Sequence, residues 1–198
     1  MNNTKEKIIT KAKELFSSDG YQNVSLRDIA AACGISPGNL TYHFKKKEDL
    51  ILAVMENIYT EIFDMLPQMT SHTPGELRQS LAQFDEIINR HLYYFSNIVT
   101  LGESSETAAA RQTVLRREIY QYYQRSLYAL RQGGYLRSQF DSPQCDQLAF
   151  QLTFIQAIWA DEHSPANDEI FQDRTLLHTL EACIFPSLNK DGQRDWQI

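Results

Sequence analysis

The side chains best suited to chemistry lie between residues 36 and 47, in the run Ser-Pro-Gly-Asn-Leu-Thr-Tyr-His-Phe-Lys-Lys-Lys. Asn39 carries an amide of the kind that pairs bidentately with the edge of an adenine. Ser36, Thr41 and Tyr42 offer hydroxyls, His43 an imidazole, and Lys45, Lys46 and Lys47 three ammonium groups suited to phosphate. Pro37 and Gly38 contribute shape rather than polarity, and Gly38 lets a helix approach another surface closely. Each residue also has a plainer reading. Ser25 and Ser36 serve equally as helix caps, His43 as a ring packed on a small core, and Lys45 and Lys46 as a solvated charge run. Leu40 and Phe44, four apart, are core positions.

Catalytic patterns are missing from the sequence. There is no G-x-S-x-G, no phosphate loop and no metal-ligand spacing. His91, His163 and His178 are scattered, so we expect neither a metal nor a cofactor, and no enzyme. Cys33, Cys145 and Cys183 read as small apolar residues rather than as a disulfide framework.

Helices must position these groups, because apolar residues recur at three and four and not at two. A first helix is expected from about Thr4 to Ser18, ended by Gly20. Ser25 caps a second, Leu26 to about Ala32, and Gly34 makes a tight turn. Ser36 caps a third, with Pro37 at its first position, where the missing N–H costs nothing. Two short helices joined by a glycine-containing turn are the sequence form of a helix-turn-helix, in which the second helix enters a major groove. A fourth helix follows from about Lys46 to Leu66. A fifth opens at Thr73 with a capping box to Glu76 and runs to about Phe95. Others are expected at about Ala108–Gln132, from Ser142-Pro143 to about Glu162, and from about Asp168 to Phe185, with 190–198 as a flexible tail.

Charge is distributed unevenly along the 198 residues. The net charge is −6, yet seven of the eight lysines lie in the first fifty residues. A basic head on an acidic body suits oriented contact with phosphate. No stretch approaches 18 apolar residues and the start is polar, so we expect neither a membrane span nor a secretory signal, and a cytoplasmic location.

The longer string is Gly20-Tyr21, then Val24-Ser25-Leu26-Arg27-Asp28-Ile29-Ala30, then Gly34 through Leu50. It resembles the head of the tetracycline-repressor (TetR) family over about residues 6–52. Thr41 stands where members often carry Tyr, and Lys46 where they carry Ser, Thr, Asn or Asp. The resemblance implies an all-α protein: a three-helix helix-turn-helix DNA-binding head (1–46) and a helical effector-binding and dimerisation domain (47–189). It implies a homodimer, a palindromic double-stranded operator, and repression relieved by a small-molecule effector. Contacts to DNA would then come from Ser25, Ser36, Pro37, Gly38, Asn39, Thr41, Tyr42, His43 and Lys47.

In the body, the helix from Ser142 is apolar on nearly every side, and such a helix is buried on nearly every side. We therefore expect a two-fold interface of Leu148, Leu152, Ile155 and Trp159 with Leu177, Leu180 and Ile184 of the last helix. Tyr94, Tyr120, Tyr123, Phe150 and Phe154 are the expected effector pocket, although aromatics at helical spacing also make ordinary core. Arginines on a long helix are usually solvated, so the expected ligand is neutral or cationic. Two other functions stay open at this point: a helical ligand- or partner-binding dimer that no longer binds DNA, and an all-helical enzyme.

Overall fold

The computed structural model describes residues 2–65, 71–91, 106–159 and 175–197. Among them all regular structure is helical, apart from one antiparallel bridge between Leu136 and Leu188. The helices are α1 (Asn2–Asp19), α2 (Leu26–Cys33), α3 (Pro37–His43), α4 (Lys47–Met65), α5 (Pro74–Arg90), α6 (Glu106–Gln132), α7 (Ser142–Trp159), α8 (Leu176–Ile184) and α9 (Lys190–Trp196), with a 3₁₀ turn at Phe185–Ser187.

Local chemistry sets most of these ends. The Ser25 and Ser36 side chains accept from the backbone N–H groups of Asp28 and Asn39, three residues on. Gly34 closes α2 at φ 65°, a left-handed conformation that glycine adopts without the Cβ penalty. The Thr73–Glu76 capping box is formed. Asp141 and Gln144 bond each other's backbone N–H reciprocally, so Asp141 caps the helix that begins at Ser142.

Helix α1 packs on α2 and α4, and α2 on α3. Ile8, Ala12, Phe16, Ile29, Leu40 and Phe44 fill the head. Helix α4 shares that core through Leu50, Ile51 and Val54 and continues into the body through Ile58, Tyr59 and Ile62, within one unbroken apolar cluster. A polar cluster straddles the same junction. Glu61 of α4 meets Lys13 of α1 at 3.3 Å and Arg90 at 2.7 Å, and His91, the cap of α5, at 3.2 Å. In the body, α6 packs along α7, while α8 packs on α5 and α7.

Several expectations are corrected. The last long helix does not begin at Asp168: Thr175 is extended and caps it, so it starts at Leu176, and residues 168–174 lie outside the described set. Helix α5 ends at Arg90 rather than Phe95. Residues 190–196 are no frayed tail. Asn189 caps α9 by accepting from the N–H groups of Asp191 and Gly192, and Trp196 is buried at 5% exposure. The Asp195 carboxylate accepts from the Gly75 N–H at 2.7 Å, which ties α9 to the start of α5. A Cβ on Gly192 would lie 2.6 Å from the Tyr135 carbonyl oxygen, so that close approach requires glycine.

Candidate nucleic-acid interface and body cavity

Helix α3 turns Leu40 fully inward and leaves Ser36, Pro37, Gly38, Asn39, Thr41 and Tyr42 outward. Tyr42 is 76% exposed, a large side chain that the fold leaves uncovered. His43 is half-buried, its ring edge-on to Tyr42 at 5.3 Å. The Thr41 hydroxyl donates to the Gly38 carbonyl, whereas the Asn39 amide has no partner among the described residues. A Cβ on Gly38 would meet nothing nearer than the Ser36 Oγ at 4.0 Å. Neither packing nor a left-handed backbone demands a glycine there, although glycine in a helix carries an entropic cost.

The caps are partly committed. Ser25 shares its capping box with Asp28, whose carboxylate accepts from the Ser25 hydroxyl at 2.6 Å and N–H at 2.8 Å. Those two bonds hold the Asp28 carboxyl below its ordinary pKa. Lys47 is turned inward. Its ammonium donates to the Tyr21 carbonyl and lies 4.1 Å from the centre of the Tyr21 ring. Desolvation there lowers its pKa, with Glu48 and Asp28 opposing. The structure therefore gives Lys47 a role inside the head, pinning α4 to the turn after α1, where the sequence suggested an outward phosphate contact. Of the three lysines at 45–47, Lys45 and Lys46 are the exposed ones, and Arg27 of α2 is exposed as well. Arg27 was not singled out from sequence, although an arginine two residues past a cap was a usable signal.

Tyr122 and Tyr123 are core, and Tyr128 is half-buried; the hydroxyls of all three are paired. Tyr122 pairs with Ser71 at 2.9 Å, Tyr123 donates to the Gln156 side chain at 2.6 Å, and Tyr128 donates to Asp146 at 3.0 Å. Tyr123 is fully buried, which raises its pKa strongly. A cavity of about 350 Å³ opens beside this core, between α4, α5, α6 and α7. Ile62, Phe84, Ile87, Ile88, Leu115, Ile119 and Ile158 wall it, together with Phe154, Gln112, Arg116, Thr153, Gln156 and Ala157. Of the five expected pocket residues, Phe154 lines it. Tyr123 stands one layer behind, holding Gln156. Tyr120 and Phe150 do not line it, and Tyr94 lies outside the described residues.

Four of the seven expected interface residues are committed to the protomer's own core. Leu148, Leu152, Leu180 and Ile184 are buried within the protomer, and Ile155, Trp159 and Leu177 are half-buried. The outward face of α7 is instead Phe150, Phe154 and Ile158, which are 57%, 56% and 40% exposed at four-residue spacing. The two phenylalanine rings stack at 6.3 Å. Cys33 and Cys145 are buried and Cys183 is half-buried. All three are free, with desolvation raising each thiol pKa. No described helix is long and apolar enough to cross a membrane.

Residues 8–54 match the bacterial regulatory proteins, tetR family. The chain is 42% identical over 52 residues to the HTH-type transcriptional regulator UidR of Escherichia coli, a match covering 26% of each protein. It is 26% identical over 136 residues to the biofilm operon icaADBC HTH-type negative transcriptional regulator IcaR of Staphylococcus epidermidis, covering 64% of this chain and 72% of that one. Across nearly the whole chain the fold matches a crystal structure of a TetR-family transcriptional regulator from Marinobacter aquaeolei. The TM-score is 0.80 at 18% identity, covering 96% of this chain and 93% of the other.

Proposed function

We propose that this chain, whose residues 8–54 match the tetR family of bacterial regulatory proteins, is a DNA-binding transcription regulator of that family, released from its operator by a small molecule. The observation that carries the reading is the outer face of α3. Asn39 has an amide uncommitted among the described residues, Tyr42 stands clear of the fold, and Gly38 leaves room that the protein itself does not use. On this reading Asn39 contacts a base edge, while Ser36, Thr41, Tyr42 and His43 contact backbone or bases. Lys45, Lys46 and Arg27 supply phosphate contacts, and the first-turn N–H groups of α2 and α3 that the Ser25 and Ser36 caps leave unused add to them.

The chain acts as a homodimer on a palindromic site, with recognition helices about 34–36 Å apart. The exposed Phe150–Phe154–Ile158 stripe supports this, because an apolar face of that kind gains by being covered. The apolar cavity in the body supports a ligand site, being at the small end of the range such sites occupy. Repression is proposed by analogy with the negative regulator IcaR.

Selection of bound duplexes from a random library tests the DNA reading. A palindromic consensus that the Asn39→Ala protein binds with relaxed preference at one base pair is the expected result. Recovery of no consensus would overturn it.

A further inference from the structure

We infer that the body cavity is built for an apolar carboxylic acid, with Arg116 as the counter-charge and Gln156 as the buried donor. The inference rests on reading the body as the ligand-responsive half. The walls are mostly aliphatic, so the bulk of the ligand is apolar. The polarity is what discriminates. No aspartate or glutamate is among the described lining residues, which leaves a cationic ligand without a partner charge. That argues against the cationic half of the neutral-or-cationic expectation.

Arg116 is the charged group among those residues. Arg78, Arg90, Arg111 and Arg194 each pair with a carboxylate, whereas Arg116 donates to the Thr113 hydroxyl at 3.2 Å and has no carboxylate among the described residues. A guanidinium in that state matches a ligand carboxylate in charge and in geometry.

Gln156 supplies an independent argument. It lines the cavity at 8% exposure, and its oxygen is taken by the Tyr123 hydroxyl at 2.6 Å. That bond orients the amide. The nitrogen keeps its two N–H donors without a partner among the described residues, and buried donors rarely go unpaired. A ligand oxygen satisfies them; an ammonium group cannot. Tyr123, though fully buried behind the wall, thus becomes the residue that sets the polarity Gln156 presents. The overall charge of −6 opposes an anion, so any preference for one must arise locally.

The test uses the full chain and three probes with the same ten-carbon tail, below their micelle concentrations: decanoate, decanol and decyltrimethylammonium. Calorimetry and thermal shift read binding directly, and an operator gel shift is read separately. Decanoate is expected to bind at least tenfold tighter than decanol, with no detectable binding of the ammonium probe. Arg116→Gln, at an exposed position, should abolish the preference for decanoate over decanol, and Arg116→Lys should restore part of it. The inference is overturned if the ammonium probe binds as well as decanoate, if no probe binds, or if Arg116→Gln leaves the preference intact. Decanoate binding that leaves the operator complex unchanged would support the ligand class and count against ligand-controlled regulation. Operator release by a cationic or neutral molecule, without decanoate binding, would do the reverse.

Discussion

Replacing Gly38 with alanine separates what the fold needs from what the outer face of α3 does. The added methyl enters open space, 4.0 Å from its nearest neighbour, the Ser36 Oγ, at the second position of a helix. Alanine restricts the unfolded chain more than glycine and incurs no native strain here. The free protein should gain about 0.4–1 kcal/mol. For a chain of this length that raises the thermal midpoint by roughly 1–4 °C. Against a DNA surface at van der Waals distance the same methyl overpacks, at a cost of about 1–3 kcal/mol. That is a loss of roughly 5- to 150-fold in operator affinity. Calorimetric melting and fluorescence anisotropy on a labelled operator measure the two effects independently. Gly134→Ala is the control: at φ 75° the substitution should destabilise the body and spare the operator affinity of the folded protein. A Gly38→Ala protein that melts higher and binds DNA unchanged would refute the close approach of α3. One that melts lower would show that glycine serves the native backbone after all.

Other substitutions divide the remaining roles. Lys46→Ala should weaken all operators alike and reduce the salt slope by about 1, whereas Lys47→Ala should chiefly lower the thermal midpoint, because its ammonium is bound to the Tyr21 carbonyl; equal salt slopes in the two variants would contradict this. Burial, with Lys13 and Arg90 adding repulsion, holds His91 below its ordinary pKa, against the opposing pull of Glu61. The unfolded chain therefore binds the proton more readily, and the stability His91 contributes is present above about pH 6.5 and lost as pH falls. Melting at pH 7.5 and 5.5 should show a smaller acid-induced drop in His91→Gln than in wild type. Phe150→Glu should yield a monomer by light scattering with its helical content intact, whereas Leu152→Ala should destabilise the protomer by about 2–5 kcal/mol; a Phe150→Glu dimer would move the interface elsewhere.

What was legible in the sequence was local. Ser25, Gly34, Ser36, Thr73 and Glu76 act within a few residues of themselves, and each does what its type and spacing implied. The outward face of α3 followed from Leu40 and Phe44 pointing the other way. What was not legible depended on partners far along the chain. Helix α7 is apolar all round, so periodicity could not say which side faces the protomer; packed on α6 and α8, it buries Leu148 and Leu152 and leaves Phe150 and Phe154 more than half exposed. Tyr123 had the composition of a pocket residue, but its hydroxyl was already paired with Gln156, 33 positions away. Lys47 had the position of a phosphate contact, yet the carbonyl and ring of Tyr21, 26 residues earlier, draw it inward. Residues 190–196 carried too short an apolar signal to announce a docked helix.

That docked helix orders events in time. The head is closed by contacts between neighbours in the chain: α1 with α2, α2 with α3, and α1 with α4. Such local pairing is fast. The bond from Gly75 to Asp195 joins residues 120 apart. Closing a loop of that length costs about 4 kcal/mol in chain entropy by the (3/2)RT ln n rule. Trp196 and the tight seat of Gly192 return that cost only once α5 and the Tyr135 turn are in place. During synthesis, the head is therefore a formed surface while the body still lacks its last clasp.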